Sequence, residues 1–228
     1  MLSLTFVFYL FVFVLAVIGV MRGWAKETLV IISTILALFI IFVFENYVGI
    51  YRSMVSPPPV VITVQEGQTC DQAAAQLGVT VDKMVQENDV LGPNCAITPG
   101  MRLEHQDHTT RFWVSTTIIL TLAFFGYQTP AIKAFQTAAR REKVRDAVLG
   151  AVFGAFNGYL VIGSIWWFLD QAGYENFSNV MVPPVAGSEM ATRAAELLAK
   201  MPPEYLMQAP HIYITIAVAF AFVVIVFV

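Results

Sequence analysis

The sequence predicts an α-helical integral membrane protein with four or five transmembrane helices and a small inserted βααβ domain. Of its 228 residues, 57% are hydrophobic and 13% are charged, and the mean hydropathy is +0.69. Soluble domains carry about twice that share of charged residues, roughly 25%. One long polar block, residues 60–105, separates apolar runs and contains both cysteines. We therefore expect a lipid-embedded bundle that holds this block in water.

Four apolar runs are long enough to cross a bilayer, and a fifth is close to that length. The first, 4–21, has no basic stretch before it and no small-residue cleavage site, which predicts a retained helix rather than a signal peptide. The other runs are 28–44, 112–128, 147–169 and 212–228. None has an ionisable residue near its middle, which argues against an ion or proton path.

These runs divide the chain into five parts. They are a first transmembrane hairpin (1–50), the polar domain (60–106), a second hairpin with a basic loop (112–169), an amphipathic segment (170–211) and a fifth transmembrane helix (212–228). Within the amphipathic segment, 188–201 reads as a helix that Ser188 can cap. Its predicted apolar face consists of Met190, Ala194, Leu197, Leu198 and Met201.

The distribution of charge predicts the orientation of the chain in the membrane. Residues 22–27 and the loop 133–146 together hold seven cations and three acids, a net charge of +4. The other side holds six cations and thirteen acids, a net charge of −7. Because basic loops stay in the cytoplasm, the N-terminus and the polar domain are expected to face outward.

Local signals within the polar block predict a strand, two helices and a second strand. Residues 60–64 form a β-branched run typical of a strand. Thr69 and Gln72 have the spacing of a capping box at the start of a helix, and Thr80 can cap a second helix. The turn signal Pro99-Gly100 then precedes a short second strand.

This order of elements, with the sequences TVQEGQTCDQAAAQLGVTVDKMVQEN and ITPGMRL, resembles the LysM domain, a carbohydrate-binding module. The resemblance implies that peptidoglycan or another glycan containing N-acetylglucosamine binds between two loops. The residues it places there are Glu66, Gly67, Gln68, Thr69, Asn94, Ala96, Ile97 and Thr98. The chain departs from the family pattern at Gln68, where aspartate is usual, and at Met101, where glutamine is usual. A module that serves only as a docking surface for protein is the alternative.

The two cysteines, Cys70 and Cys95, fall at positions that some LysM domains join by a disulfide, so the resemblance implies that bond here. Closing a loop of about 25 residues would stabilise so small a module by roughly 3 kcal/mol. The bond requires an oxidising compartment. Two free, buried thiols are the alternative.

Small residues line one face of the fourth span. Gly150, Gly154 and Gly158 recur every fourth residue, and such a face lets another helix approach closely in lipid. The approaching helix can belong to this chain or to a partner. Asn157, in the same span, is expected to hydrogen-bond across helices.

The glycine series begins after Asp146, and the first hairpin contains Gly19, Arg22-Gly23 and Lys26-Glu27. Together these motifs resemble the CvpA (colicin V production protein) family of bacterial inner-membrane proteins. The resemblance implies four helices in the cytoplasmic membrane and a part in envelope homeostasis or colicin V export. The inserted module and the extra C-terminal span depart from that family. Our interpretation is a non-enzymatic, envelope-associated scaffold, and the alternative is an accessory structural subunit of a larger membrane complex.

No motif for catalysis or for a cofactor occurs in the sequence, so we predict no enzyme activity. His105, Asp107 and His108 lie on a short polar linker, and we interpret them as solvated rather than as metal ligands. The few basic residues lie mostly near membrane ends, which excludes a nucleic-acid partner. The expected partners are therefore a glycan, the lipid bilayer and other membrane subunits.

Overall fold

The computed structural model describes residues 4–92, 94–128, 143–174 and 189–227. The predicted basic loop lies largely outside these residues, as does Ser188. Helices dominate the described chain. They are α1 (Leu4–Arg22), α2 (Trp24–Tyr47), α3 (Gly49–Val55), α4 (Cys70–Leu77), α5 (Val81–Glu87), α6 (Thr109–Gln128), α7 (Lys143–Ala172), α8 (Glu189–Leu198), α9 (Pro202–Leu206) and α10 (His211–Phe227). The strands are β1 (Val60–Thr63) and β2 (Arg102–His105).

Three helices of the described chain are long and apolar enough to cross a membrane: α1, α2 and the segment Val144–Ala172 of α7. This agrees with a membrane protein. The predicted third span forms α6, but α6 falls outside that set because Arg111 and several hydroxyl side chains dilute its apolar run. The fifth predicted span, α10, is a shorter apolar helix of 17 residues.

The long helices pack into one bundle. α1 lies along α7, and α2 packs against both α6 and α7. Buried side chains from all of these helices form a continuous apolar core. α10 rests on α2, where Ile216 and Ala219 contact Ile35.

The amphipathic segment folds back onto the bundle. In α8, Ala194 is buried and both Leu197 and Leu198 pack on the core, whereas Met190 is 61% exposed. Only the C-terminal part of the predicted apolar face is therefore buried. Met201 follows and is buried near Gly163, where an added Cβ would lie 2.8 Å from the Met201 sulfur.

The polar block folds into the predicted strand–helix–helix–strand order. β1 and β2 pair antiparallel, from Val60 opposite His105 to Thr63 opposite Arg102. α4 and α5 cover one face of this sheet, with Leu77, Met84 and Leu103 among the residues of a separate small core. We call residues 60–105 the polar module.

Candidate functional site

The two loops that the LysM resemblance singles out lie at the end of the polar module farthest from the bundle. β1 follows the linker from α3, and β2 leads into α6, so the pair Val60–His105 marks the end nearest the bundle. The pair Thr63–Arg102 marks the opposite end, where the loops 65–69 and 94–98 begin and finish. The loops therefore lie at the end of the module opposite its two connections to the bundle.

The first loop is held by the side chain of Gln68, one of the two departures from the family pattern. Its Oε1 accepts a hydrogen bond from the backbone N–H of Gln65 at 2.8 Å, and its Nε2 donates to Gln76 at 3.0 Å. Gly67 has φ +78°, which a residue with a Cβ would adopt only at a cost. Glu66 is exposed, so its carboxylate is available to a ligand.

A capping box fixes the end of the first loop and the start of α4. The N–H of Gln72 donates to Thr69 Oγ1 at 3.4 Å, and the N–H of Thr69 donates to Gln72 Oε1 at 3.1 Å. Thr69 itself is exposed. The predicted capping pair is therefore present at the edge of the candidate site.

The predicted disulfide joins the two loops. Cys70, the first residue of α4, is bonded to Cys95, with the Cα atoms 6.4 Å apart. In the second loop Asn94, Ala96 and Thr98 are exposed. Ile97 is half-buried against the core of the module. The bond therefore ties the second loop to the start of α4, directly after the first loop, and most side chains of both loops are accessible to water.

A buried ionic network lies where α1 turns into α2. The sequence did not predict that its side chains are buried. Glu27 is fully buried, and its carboxylate accepts from Arg22 at 2.9 Å and from the amide of Asn157 at 2.7 Å. Arg22 also donates to the backbone carbonyl of Tyr127 at 3.0 Å and stacks over its ring. Glu27 lies in the first turn of α2, where the helix dipole favours an acid, and only tertiary packing shows that it is buried.

Gly23 and Asp146 complete this turn. Gly23 has φ +81°, and an added Cβ there would lie 2.6 Å from a carboxylate oxygen of Asp146. The backbone N–H of Trp24 donates to the same carboxylate at 3.3 Å. The two motifs quoted for the CvpA resemblance, which are more than 120 residues apart, therefore meet in space.

The glycine series of α7 faces α1. An added Cβ at Gly150 would lie 2.2 Å from the carbonyl oxygen of Gly19, and one at Gly154 would lie 2.3 Å from that of Leu15. One at Gly158 would lie 2.7 Å from the Cα of Val12. Of the two alternatives left by the sequence, the structure places a helix of this chain on the glycine face.

The linker histidines differ from the sequence interpretation. His105 belongs to β2, is 9% exposed and contacts Glu87 at 2.7 Å, and His108 is half-buried. Expecting the histidines to be solvated was wrong, because His105 lies in β2 against Glu87 of α5 and His108 is half-buried directly before α6. Among the residues that the structure describes, no group of three or more His, Cys, Asp or Glu side chains could hold a metal ion.

The chain matches no protein-family model, no curated protein and no solved structure. The LysM and CvpA resemblances therefore stay predictions, and the candidate site is interpreted from its own geometry. The two loops offer hydroxyl and amide groups, exposed backbone and a single ionisable side chain, Glu66. Their hydroxyl and amide groups can donate and accept hydrogen bonds.

Proposed function

We propose that this chain is a non-enzymatic, CvpA-like membrane scaffold that presents a LysM-like glycan-binding module at the outer face of a bacterial cytoplasmic membrane. The observation that carries the proposal is the Cys70–Cys95 bond, which joins two exposed loops at the end of the module farthest from the bundle. A module stiffened by this disulfide can bind a polymer in the envelope while the bundle anchors the chain in lipid.

Two further features support an outward position for the module. A persistent disulfide is typical of extracytoplasmic compartments. The net positive charge of segments 22–27 and 133–146 favours a cytoplasmic position for that end of the bundle. The disulfide and the distribution of charge are independent, and both favour a module on the extracytoplasmic side.

The chemistry of the loops favours a neutral, hydroxyl-rich ligand. Thr69, Asn94 and Thr98 are exposed and can both donate and accept hydrogen bonds. Ile97 is half-buried between them and offers an apolar contact for a methyl group. A polymer of N-acetylglucosamine provides hydroxyl groups, amide groups and acetyl methyl groups together.

The test is retention of the purified full-length chain, in detergent micelles, on insoluble peptidoglycan. Ala96→Arg places a long side chain on the exposed surface between the loops, and Ala75→Arg makes the same change on the exposed side of α4. We expect Ala96→Arg to weaken retention about tenfold, which corresponds to ~1.4 kcal/mol, and Ala75→Arg to leave it unchanged. Absence of retention of the unmodified chain, or equal retention of both variants, would reject glycan binding at this site.

A specific observation favours the alternative of an accessory subunit. α3 lies beyond the end of α2, outside the candidate membrane-crossing helices, yet Ile50 is 86% and Met54 is 49% exposed. An apolar patch next to the module fits a protein partner. After gentle solubilisation, the unmodified chain should then migrate with other subunits in a native gel, and the double variant Ile50→Glu, Met54→Glu should migrate alone. A monomer band for both would count against this function.

A further inference from the structure

A narrow apolar groove lies on the side of the bundle, between α2 and α10. Its volume is about 360 Å³, within the range of pockets that hold small molecules, roughly 300–1,000 Å³. α2 lines it with residues from 28 to 35, α10 with residues from 214 to 222, and α7 with the ring of Phe153. We call it the α2–α10 groove.

The groove exists because α10 is attached to α2 along its first half. The Tyr213 ring contacts Phe42, with the centroids 5.7 Å apart, and its hydroxyl lies 2.7 Å from that of Tyr47. Ile216 then packs on Ile35. These contacts lie at the end of the groove nearest α3 and fix its width there.

The second half of α10 is less covered by the bundle. Val224 is 58% and Ile225 is 81% exposed. The opposite wall of the groove is the ring of Phe153, which is held by an edge contact with Trp24 at a centroid distance of 6.4 Å. The groove is therefore open along one side and extends toward the end of the bundle where α2 begins.

Water and empty space are both poor occupants of this groove. A buried water usually makes about three hydrogen bonds, but the polar side chains that line the groove are two threonines, Thr28 and Thr215. The hydroxyl of Thr28 already donates to the carbonyl oxygen of Trp24 at 2.9 Å. An empty groove would leave the lining side chains without van der Waals contacts on one side. The surroundings supply a better occupant, because α2 is a candidate membrane-crossing helix and is bathed in hydrocarbon within a bilayer.

The size of the groove decides between a lipid chain and a helix of another subunit. Residues 28 to 35 cover a rise of about 10 Å along α2, so the mean cross-section of the groove is about 35 Å². A helix with its side chains is about 10–12 Å across, which gives a cross-section of roughly 80–110 Å². The groove is therefore too narrow for a helix and fits a single linear chain.

We propose that the α2–α10 groove binds one acyl chain of a phospholipid from the leaflet at which α2 begins. Trp24 marks that interface, since tryptophan is enriched where the hydrocarbon meets the headgroups. The chain gains no hydrophobic free energy by leaving other lipid chains, so packing against the groove walls holds it. Because phospholipid is the solvent of the bundle, the groove is occupied without tight binding. This site is separate from the loops of the polar module.

The experiment maps where lipid chains contact the intact chain. The full-length protein is placed in nanodiscs of phosphatidylethanolamine and phosphatidylglycerol that include a phosphatidylglycerol with a diazirine midway along one acyl chain. After photolysis, mass spectrometry locates the lipid adducts. We expect them to concentrate on Ile31, Ile32 and Val218 in the groove. Phe13 of α1 and Phe220 of α10, which are 66% and 54% exposed and lie outside the groove, should carry fewer adducts.

Two other labelling patterns would overturn the proposal. Equal labelling of the groove and of Phe13 and Phe220 would show that lipid only surrounds the bundle. Weaker labelling of the groove than of these two residues would show that protein covers it.

A matched pair of tryptophan variants tests the groove directly. Val218 lines the groove and Val224 lies outside it, and they are 63% and 58% exposed. Val218→Trp should fill the groove and reduce the adducts on Ile31 and Ile32 to the level of Phe220, whereas Val224→Trp should leave them unchanged. If Val218→Trp fails to assemble, Ile214→Trp replaces it with the same expectation, because Ile214 also lines the groove and is 57% exposed. Equal labelling of Ile31 and Ile32 in both variants would reject the site.

Discussion

Asn157 donates one amide nitrogen to both the carboxylate and the backbone carbonyl of Glu27, at 2.7 and 3.0 Å. Asn157 lies near the middle of α7, whereas Glu27 lies in the first turn of α2. This contact therefore joins the longest helix of the bundle to the turn between the first two. Arg22 completes the pairing from the end of α1.

We predict that Asn157→Leu lowers the free energy of unfolding by about 1.5–3 kcal/mol, because a buried carboxylate loses a charge-assisted hydrogen bond. Thermal unfolding in detergent micelles measures the loss. Ser164→Ala is the matched control: Ser164 lies seven residues further along α7, is fully buried, and its Oγ has no hydrogen bond within the described chain. Its removal should cost little, and equal losses in the two variants would show that Asn157 contributes only packing.

The contact between α1 and α7 leads to a second prediction. Gly154→Ala would place its Cβ 2.3 Å from the carbonyl oxygen of Leu15, and backbone atoms cannot rotate away as a side chain can. We expect a loss of about 1–3 kcal/mol, the usual range for overpacking. Gly49→Ala is the control, since nothing lies within 4 Å of an added Cβ there. Titration with a denaturing detergent separates the two, and equal stability would mean that α1 is free to shift.

Local signals made the polar module predictable. The capping box of Thr69 and Gln72 and the cap of Thr80 each depend on a few neighbouring residues, and both are present. The strand–helix–helix–strand order followed from such signals. The length of an apolar run predicted the membrane-crossing helices less well. α6, which is rich in hydroxyl side chains, packs in the bundle but is not among the helices apolar enough to count as candidate spans.

Long-range contacts were not predictable in the same way. Lys83 reads as an ordinary solvated cation on α5, since nothing in its neighbours indicates that Ala172 lies against it. His105 likewise reads as a linker residue until β2 places it beside Glu87. In both cases the residue that buries the side chain belongs to a different helix or strand. The local pattern of the sequence therefore cannot predict the contact.

The disulfide leads to a third prediction. We expect Cys70→Ser together with Cys95→Ser to destabilise the polar module by about 3 kcal/mol, because the bond closes a loop of about 25 residues in a domain with a small core. Hydrogen exchange followed by mass spectrometry should show faster exchange in α4 and β2 than in the unmodified chain. Exchange in α2 and in α7 before its last turn should stay the same, as these helices belong to the separate core of the bundle. Equal exchange in the module of both proteins would show that its apolar core suffices.

The contact between Lys83 and the end of α7 gives the fourth prediction: Lys83 is only 6% exposed, and its Nζ donates to the carbonyl oxygen of Ala172 at 3.1 Å. Lys83→Met keeps most of the buried side-chain volume but removes the cation from the end of α7, where such a charge contributes up to about 2 kcal/mol. Protection of the last turn of α7 against hydrogen exchange should therefore fall about tenfold or more at neutral pH. Lys200→Met is the control, because Lys200 is exposed and Tyr159 bonds its backbone carbonyl rather than its side chain. If both variants protect α7 as the unmodified chain does, the module is held mainly by its linkers, and a charge at position 83 does not decide how it sits.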